Sequence, residues 1–426
     1  MIGSRRCRPA WFLPFGLAVS MATPAALHAQ AFRPGVLTER MTSPSDPSQA
    51  YALYVPSAYT ATKAWPVLFL MDPRGRALSP MKAFQPAAEE HGYIVISSYN
   101  TVSDSTVAPN IVAINAMIAD VRALFNIDPQ RYYMVGFSGT ARLAWDFAEQ
   151  LNGPVAGIFG AGASGMQAGT DTATVMPGLA FYGTAGIYDY NYEEMRAFEP
   201  ALESATIPHR IRYFRGGHSW APDTLAAQSI AWFQIRAMKR ALLPTDTAFV
   251  NRQFARDSIQ ARTAEAAGHV WDALLRWREM LSDYYGLHPT TLVSAEVARL
   301  DDDARVHREM ARQAKLSRQV AETRRRLSAF LAETRDAKTL PDVKHAVKEL
   351  QIDRMLKQAA DTADADAAAS AERELEDVRA HLGAFYARQA LAAGRKDLAL
   401  LYLDVAEVAQ PGSTLRSPVR AEAMKS

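Results

Sequence analysis

Cysteine is almost missing from this 426-residue chain: its one example, Cys7, stands before the first apolar stretch. Once an N-terminal leader is removed, disulfides, cysteine nucleophiles and thiolate metal sites are excluded. Cys7 also precedes the apolar region, so it is no lipid-attachment cysteine. Long apolar runs are lacking too. Ala10–Ala22 is broken by Pro14 and falls short of the ~20 residues that cross a bilayer. A surplus of one charge is absent, at a formal net charge of +2, so bulk electrostatics give no reason to expect nucleic acid or an anionic membrane. No Gly-rich phosphate loop and no HExxH zinc motif occurs. Asp361-Thr362-Ala363-Asp364-Ala365-Asp366 has the carboxylate spacing of a calcium loop without its glycine or distal glutamate, so no metal and no cofactor is expected.

What is present begins with a leader-like segment. Arg5, Arg6 and Arg8 precede Ala10–Ala22, and Ala25-Ala26-Leu27-His28-Ala29-Gln30-Ala31 follows, the layout of a signal peptide over residues 1–31. Cleavage fits after Ala31 and also after Ala29. Export to the periplasm or medium is expected, with no membrane span left after cleavage. Loss of the three arginines takes the formal charge to about −1.

Composition then changes along the chain. Residues 1–240 hold 19 Lys/Arg, 17 Asp/Glu and 18 of the 23 glycines, whereas residues 241–426 hold 28 basic and 28 acidic residues. A sparsely charged, Gly-rich part followed by a highly charged, Gly-poor one predicts an α/β domain over 32–240 and a helical domain over 241–426. The boundary is expected near Arg240-Ala241-Leu242-Leu243-Pro244.

Within 32–240, short apolar runs alternate with amphipathic stretches. Strands are predicted at Tyr51–Val55, Val67–Met71, Tyr93–Ser97, Tyr132–Phe137, Val155–Phe159, Leu179–Tyr182 and Ile211–Phe214. Helices are predicted at Ile111–Phe125, through Leu143, Trp145, Phe147 and Leu151, and at Thr224–Lys239. Asp128-Pro129-Gln130-Arg131 reads as a connector. The sum is a doubly wound, mostly parallel sheet with its chemistry on loops at the strands' C-terminal ends.

One of those loops carries Ser138. The strand Tyr132–Phe137 ends in Gly136-Phe137-Ser138-Gly139-Thr140 and passes straight into a helix, the outline of a nucleophile elbow. A serine hydroxyl needs an imidazole to take its proton and a carboxylate to orient that imidazole. Of the nine histidines, His218 in Arg215-Gly216-Gly217-His218-Ser219-Trp220 directly follows the last strand. His91 and His209 each precede a strand. Asp189 follows the strand before it, completing the order Ser138, Asp189, His218, and Glu193 and Glu194 read instead as the start of a helix. Ser164 repeats the local formula in Gly162-Ala163-Ser164-Gly165, but the turn-rich Met166–Asp171 follows it rather than a helix. An oxyanion would be met by the amide of Gly139 and by one from the loop Asp72-Pro73-Arg74-Gly75-Arg76, where Pro73 has no N–H. Arg74 is the first choice and Gly75 the fallback. Phe137, Trp220, Tyr188 and the loop Tyr99–Asp104 are expected near the site, with Phe137, Trp220 and Tyr99 as candidate substrate contacts.

Ile127-Asp128-Pro129-Gln130-Arg131-Tyr132 leading into Gly136-Phe137-Ser138-Gly139, with Gly183–Asp189 and Gly217-His218-Ser219-Trp220, resembles the α/β-hydrolase superfamily. The likeness is strongest to bacterial esterases of the polyhydroxybutyrate-depolymerase and feruloyl-esterase kind, and spans residues 50–240. The resemblance implies an ester-cleaving serine hydrolase with Ser138 as nucleophile, Asp189 as acid and His218 as general base. The substrate is then a small or polymeric ester. Thr140 and Asp72-Pro73-Arg74-Gly75 depart from the family pattern. A peptidase or acyltransferase uses the same triad, and a scaffold protein with an inactive hydrolase half is a reading from another class.

In the helical half, Gly394, Ala399, Leu403, Ala406 and Pro411 have the spacing of a tetratricopeptide turn and second helix, and Gly268, Ala273 and Trp277 repeat its start. A degenerate repeat and a plain bundle are both open, as is a protein partner for this half. Arg324-Arg325-Arg326, balanced by Asp301–Asp303 and Asp361–Asp366, reads as solvated helix surface.

Overall fold

The computed structural model describes residues 32–103, 106–150, 155–165, 178–415 and 417–425. The expected leader over 1–31, Asp104, Leu151 and the Met166–Asp171 stretch lie outside them.

Among the described residues, eight strands form one sheet: β1 (Thr38–Thr42), β2 (Ala50–Tyr54), β3 (Trp65–Met71), β4 (Ile94–Ser98), β5 (Ile127–Phe137), β6 (Val155–Ala161), β7 (Ala180–Gly186) and β8 (His209–Phe214). Their order is β1-β2-β4-β3-β5-β6-β7-β8. β1 pairs antiparallel with β2 and β2 with β4; every other pairing is parallel. This order, with its antiparallel start, is that of the α/β-hydrolase fold. The strands read as unbroken apolar runs because both faces are covered. Val67, Phe69 and Met71 of β3 join the core formed with α2 (Ala108–Leu124), α3 (Gly139–Gln150) and α4 (Tyr192–Ser204). Leu68 and Leu70 point the other way, to α1 (Leu78–His91) and α5 (Asp223–Lys239).

Two strands and one helix of the α/β part, β5, β1 and α1, differ from the sequence expectation. β5 takes in Asp128–Arg131, the predicted connector, because Ile127 already pairs with Trp65 across a register shift. β1, Thr-Glu-Arg-Met-Thr, was not foreseen: a half-exposed edge strand needs no apolar alternation.

Among the described residues, helices alone follow residue 240: α6 (Thr247–Ala266), α7 (Val270–Tyr284), α8 (Thr291–Asp301), α9 (Ala304–Arg335), α10 (Val343–Glu349), α11 (Ile352–Ala359), α12 (Ala365–Val378), α13 (Ala387–Ala392), α14 (Lys396–Ala409) and α15 (Pro418–Ala423). A π-helical segment, Arg379–Tyr386, joins α12 to α13. Gly268 and Gly394 each turn one helix back on the next in the left-handed region, at φ 88° and 77°. The small and apolar residues singled out after them, Ala273, Trp277, Ala399, Leu403 and Ala406, are all buried.

The helices are fastened to the sheet rather than tethered to it. Ala231 and Ile235 of α5 share one core with α6–α9. Beneath them, Arg210 of β8 meets Asp257 of α6 at 2.7 Å and Asp283 of α7 at 2.8 Å, and Arg212 meets Glu279 at 2.5 Å. Trp232 Nε1 donates to the same Asp283 at 2.8 Å. Among the described residues no helix is long and apolar enough to cross a membrane.

Candidate active site

β5 delivers Ser138 into a turn with φ 55°, a conformation that costs a non-glycine residue about 1–3 kcal/mol. The Ser138 amide donates to the Ala161 carbonyl on β6 at 2.8 Å, and its carbonyl accepts from Ala141 at 2.9 Å. Gly136 is obligatory, since a Cβ there would lie 2.6 Å from the Ala141 nitrogen. Thr140 has a different task from the second small residue of the usual elbow. Fully buried, its hydroxyl accepts from the Phe137 amide at 3.1 Å and donates to the Met71 carbonyl at 2.6 Å, joining the ends of β5 and β3.

His218 Nε2 lies 2.9 Å from Ser138 Oγ. Its Nδ1 lies 3.0 and 3.1 Å from the two oxygens of Asp189. A carboxylate can only accept, so Nδ1 carries the proton and Nε2 is left as acceptor for the serine hydroxyl. Asp189 is fully buried and also accepts from the Asn191 amide at 2.8 Å. The two loops brace each other: the Tyr188 amide donates to the Gly216 carbonyl at 2.9 Å and that of Ile187 to Phe214 at 2.8 Å. The His218 ring is flanked by Phe137 and Tyr190, with centroids 4.7 and 4.4 Å away.

Ser164 is elsewhere engaged. Its hydroxyl and amide both donate to Glu194 Oε1, at 2.7 and 2.8 Å, and Arg142 pairs with the same carboxylate at 2.6 Å. Glu193 and Glu194 sit in the first turn of α4. The motif around Ser164 nevertheless serves the site through Gly162. A Cβ on that glycine, at φ 61°, would stand 3.0 Å from Asp189 Oδ2 and 3.2 Å from His218 Cε1. Asn191 Nδ2 donates to the Gly162 carbonyl at 2.7 Å, closing the floor beneath Asp189.

Gly139, next to Ser138 in the chain, opens α3, where an N–H has no intrahelical partner. Arg74 departs from expectation. Its amide donates to Asp72 Oδ1 at 2.8 Å, and the fallback Gly75 donates to the Asp72 carbonyl at 3.1 Å. Both are taken up because Asp72, fully buried, organises its own loop. It also binds Arg76 through two side-chain contacts of 3.0 and 2.9 Å and accepts from Trp220 Nε1 at 2.8 Å. Burial pushes the Asp72 carboxyl up, but Arg76, Trp220 and the loop amides outweigh it and hold the group below the usual carboxylate range. Against Gly139 stands Ser103, whose Cβ would lie 2.6 Å from a Cβ added to that glycine.

Phe137 and Trp220 are brought to the site, with rings 5.5 Å apart. Tyr99 is not turned to it: its hydroxyl donates to the Glu39 carbonyl at 2.7 Å and its ring carries the Arg40 guanidinium at 4.5 Å, both on β1.

Helical-region residues touching these loops were missed by the sequence reading. Glu376 Oε1 of α12 accepts from the His218 amide at 3.2 Å. Arg373 donates to the Ile187 carbonyl at 2.8 Å and pairs with Glu193 at 3.1 Å. Arg324 of α9 binds the Tyr190 carbonyl and pairs with Asp377 at 2.8 Å. Arg324 is therefore not the solvated surface charge the run suggested; Arg325, 74% exposed, is. Burial raises the Glu376 carboxyl, against the His218 amide and Arg379. Among the described residues no cluster of His, Asp and Glu suited to a metal ion occurs.

Neither a family model nor a curated protein sequence matches the chain. Among solved structures it is similar to FphF, a fluorophosphonate-binding serine hydrolase of Staphylococcus aureus, at 16% identity over 47% of this chain and 98% of that one, with a TM-score of 0.39. S-formylglutathione hydrolase (FrmB) of the same organism gives 17% identity, the same coverages and a TM-score of 0.38. Esterase B from Lactobacillus rhamnosis gives 15% identity over 50% of this chain and 90% of that one, with a TM-score of 0.38.

Proposed function

We propose that the chain is an exported serine hydrolase that cleaves carboxylic esters through an acyl-enzyme. The observation that carries this is the chain of contacts from Ser138 Oγ to His218 Nε2 at 2.9 Å and from Nδ1 to Asp189 at 3.0 Å, on a serine held at φ 55°. Ser138 Oγ attacks the ester carbonyl as its proton passes to Nε2, and Asp189 stabilises the imidazolium so formed. The Gly139 amide, backed by the start of α3, meets the oxyanion. The alcohol leaves with the proton from Nε2. Water, deprotonated by the same nitrogen, then attacks the acyl carbonyl, and the proton returns from Nε2 to Ser138 Oγ as the acyl–oxygen bond breaks and the acid leaves.

A fluorophosphonate probe is expected to label the wild-type protein and not Ser138→Ala. On short-chain nitrophenyl esters, Asp189→Asn is expected to lose about 10⁴-fold in kcat, since its amide no longer holds the productive tautomer. A folded wild-type protein that takes no label would overturn the proposal. Export is tested separately. N-terminal sequencing of protein from the periplasmic fraction or medium is expected to begin at Phe32 or Gln30, and retention of Met1 would contradict it.

A further inference from the structure

We infer that Glu376 of α12 is a positioning residue for His218, so that the helical region is a working part of the hydrolytic site. The inference rests on the serine hydrolase reading above. Three main-chain groups of the acid and base loops are held from the helical side: the Ile187 carbonyl by Arg373, the Tyr190 carbonyl by Arg324 and the His218 amide by Glu376. Two of these flank Asp189 within two residues, and the third belongs to the base itself. No other hydrogen bond of the His218 backbone amide is found among the described residues. Without Glu376, that amide would lose its partner, and the main chain of Gly217 and His218 would be held only from Gly216, whose carbonyl the Tyr188 amide binds.

The sequence is matched to this contact. A Cβ on Gly217 would stand 2.8 and 2.9 Å from the two Glu376 oxygens, so glycine is what allows the carboxylate to reach the next amide. Glu376 is itself placed by Arg379 one turn on, at 3.1 Å. A shift of about 1 Å in a catalytic imidazole is enough to cost on the order of 100-fold in rate. Glu376 touches no reacting atom and acts only through where it puts His218.

The test is steady-state kinetics on the full chain, with active sites counted by fluorophosphonate titration so that unfolded protein drops out. Glu376→Ala is expected to lower kcat about tenfold or more, leaving KM within about twofold. Glu376→Gln, whose amide oxygen still accepts, is expected to recover most of the loss. Gly217→Ala should push the carboxylate off the amide and reproduce the defect of Glu376→Ala, and the double variant should be no worse than either single one. Wild-type turnover per titrated site in Glu376→Ala would overturn the inference, as would failure of glutamine to do better than alanine. If Glu376→Ala does not fold, Gly217→Ala decides, and wild-type turnover there overturns it. A wild-type protein that takes no label removes the hydrolase reading and this inference with it, whereas labelled wild type with an indifferent Glu376 removes the inference alone.

Discussion

Thr140 shows how one side chain can change the meaning of a motif. In an elbow with two small flanking residues, the second serves clearance; here Gly136 alone provides it, and Thr140 uses its place to bridge the Phe137 amide and the Met71 carbonyl. Thr140→Val keeps the shape and strands both groups in a fully buried site, where each unmet partner costs about 1–3 kcal/mol. Thermal unfolding should show a lowered Tm and a slower labelling of Ser138, with Thr140→Ser close to wild type; an unchanged Tm in the valine variant would count against the bridge. The triad candidates could be picked out from the sequence because each follows a strand in the right order, a local property. Gly162, Asn191 and Glu376 could not, because their roles lie in contacts of 29 and 158 residues' separation or in the space a glycine leaves. The Arg74 amide, taken up by Asp72, is hidden from the sequence for a related reason. Pro73 correctly excluded one amide, but nothing local tells that Asp72 would capture the next.

At the scale of elements, the β3–α1 loop is a folded object built on one carboxylate. Asp72 gathers the Arg74 and Arg76 amides, the Arg76 guanidinium and the Trp220 indole, and so ties the β3 loop to the base loop. Its carboxyl is held below the ordinary range in the folded protein, so its contribution is present in full above about pH 4 and is lost as pH falls through the depressed folded value. Urea unfolding of wild type and Asp72→Asn from neutral pH downward should therefore show a stability difference that is constant near neutrality and narrows in acid. A difference independent of pH would remove the carboxylate from this role. Buried strands such as β3 were readable because two covered faces leave an unbroken apolar run, and α2 because its apolar spacing has helical period. In β8 the reading stopped at the apolar residues. Arg210-Ile211-Arg212 puts two guanidinium groups on one face of a buried strand, a pattern that demands carboxylates and could have pointed to Asp257, Glu279 and Asp283.

Those carboxylates decide how the whole molecule behaves. Composition divides the chain near residue 240, and the helices after it invite description as a separate unit. The interior does not respect that division. Arg210, with a side chain 5% exposed, has Asp257 and Asp283 as its partners; α5 contributes Ala231 and Ile235 to the core of α6–α9, and α12 holds the base loop. Opening the contact would take Asp257, Asp283 and Glu279 away from Arg210 and Arg212 and turn the apolar face that Ala231 and Ile235 present to α6–α9 out to water. Each apolar side chain so exposed forfeits up to about 1.5–3 kcal/mol against the roughly 5–15 kcal/mol by which a domain is usually stable, so the α/β part is not expected to survive loss of the helices. Calorimetry of the full chain should give one transition, coincident by near-ultraviolet circular dichroism and by loss of Ser138 labelling. Arg210→Met should lower that single Tm without splitting it. Two separated transitions, with labelling retained after the first, would show that the helical region melts away from a self-sufficient hydrolase.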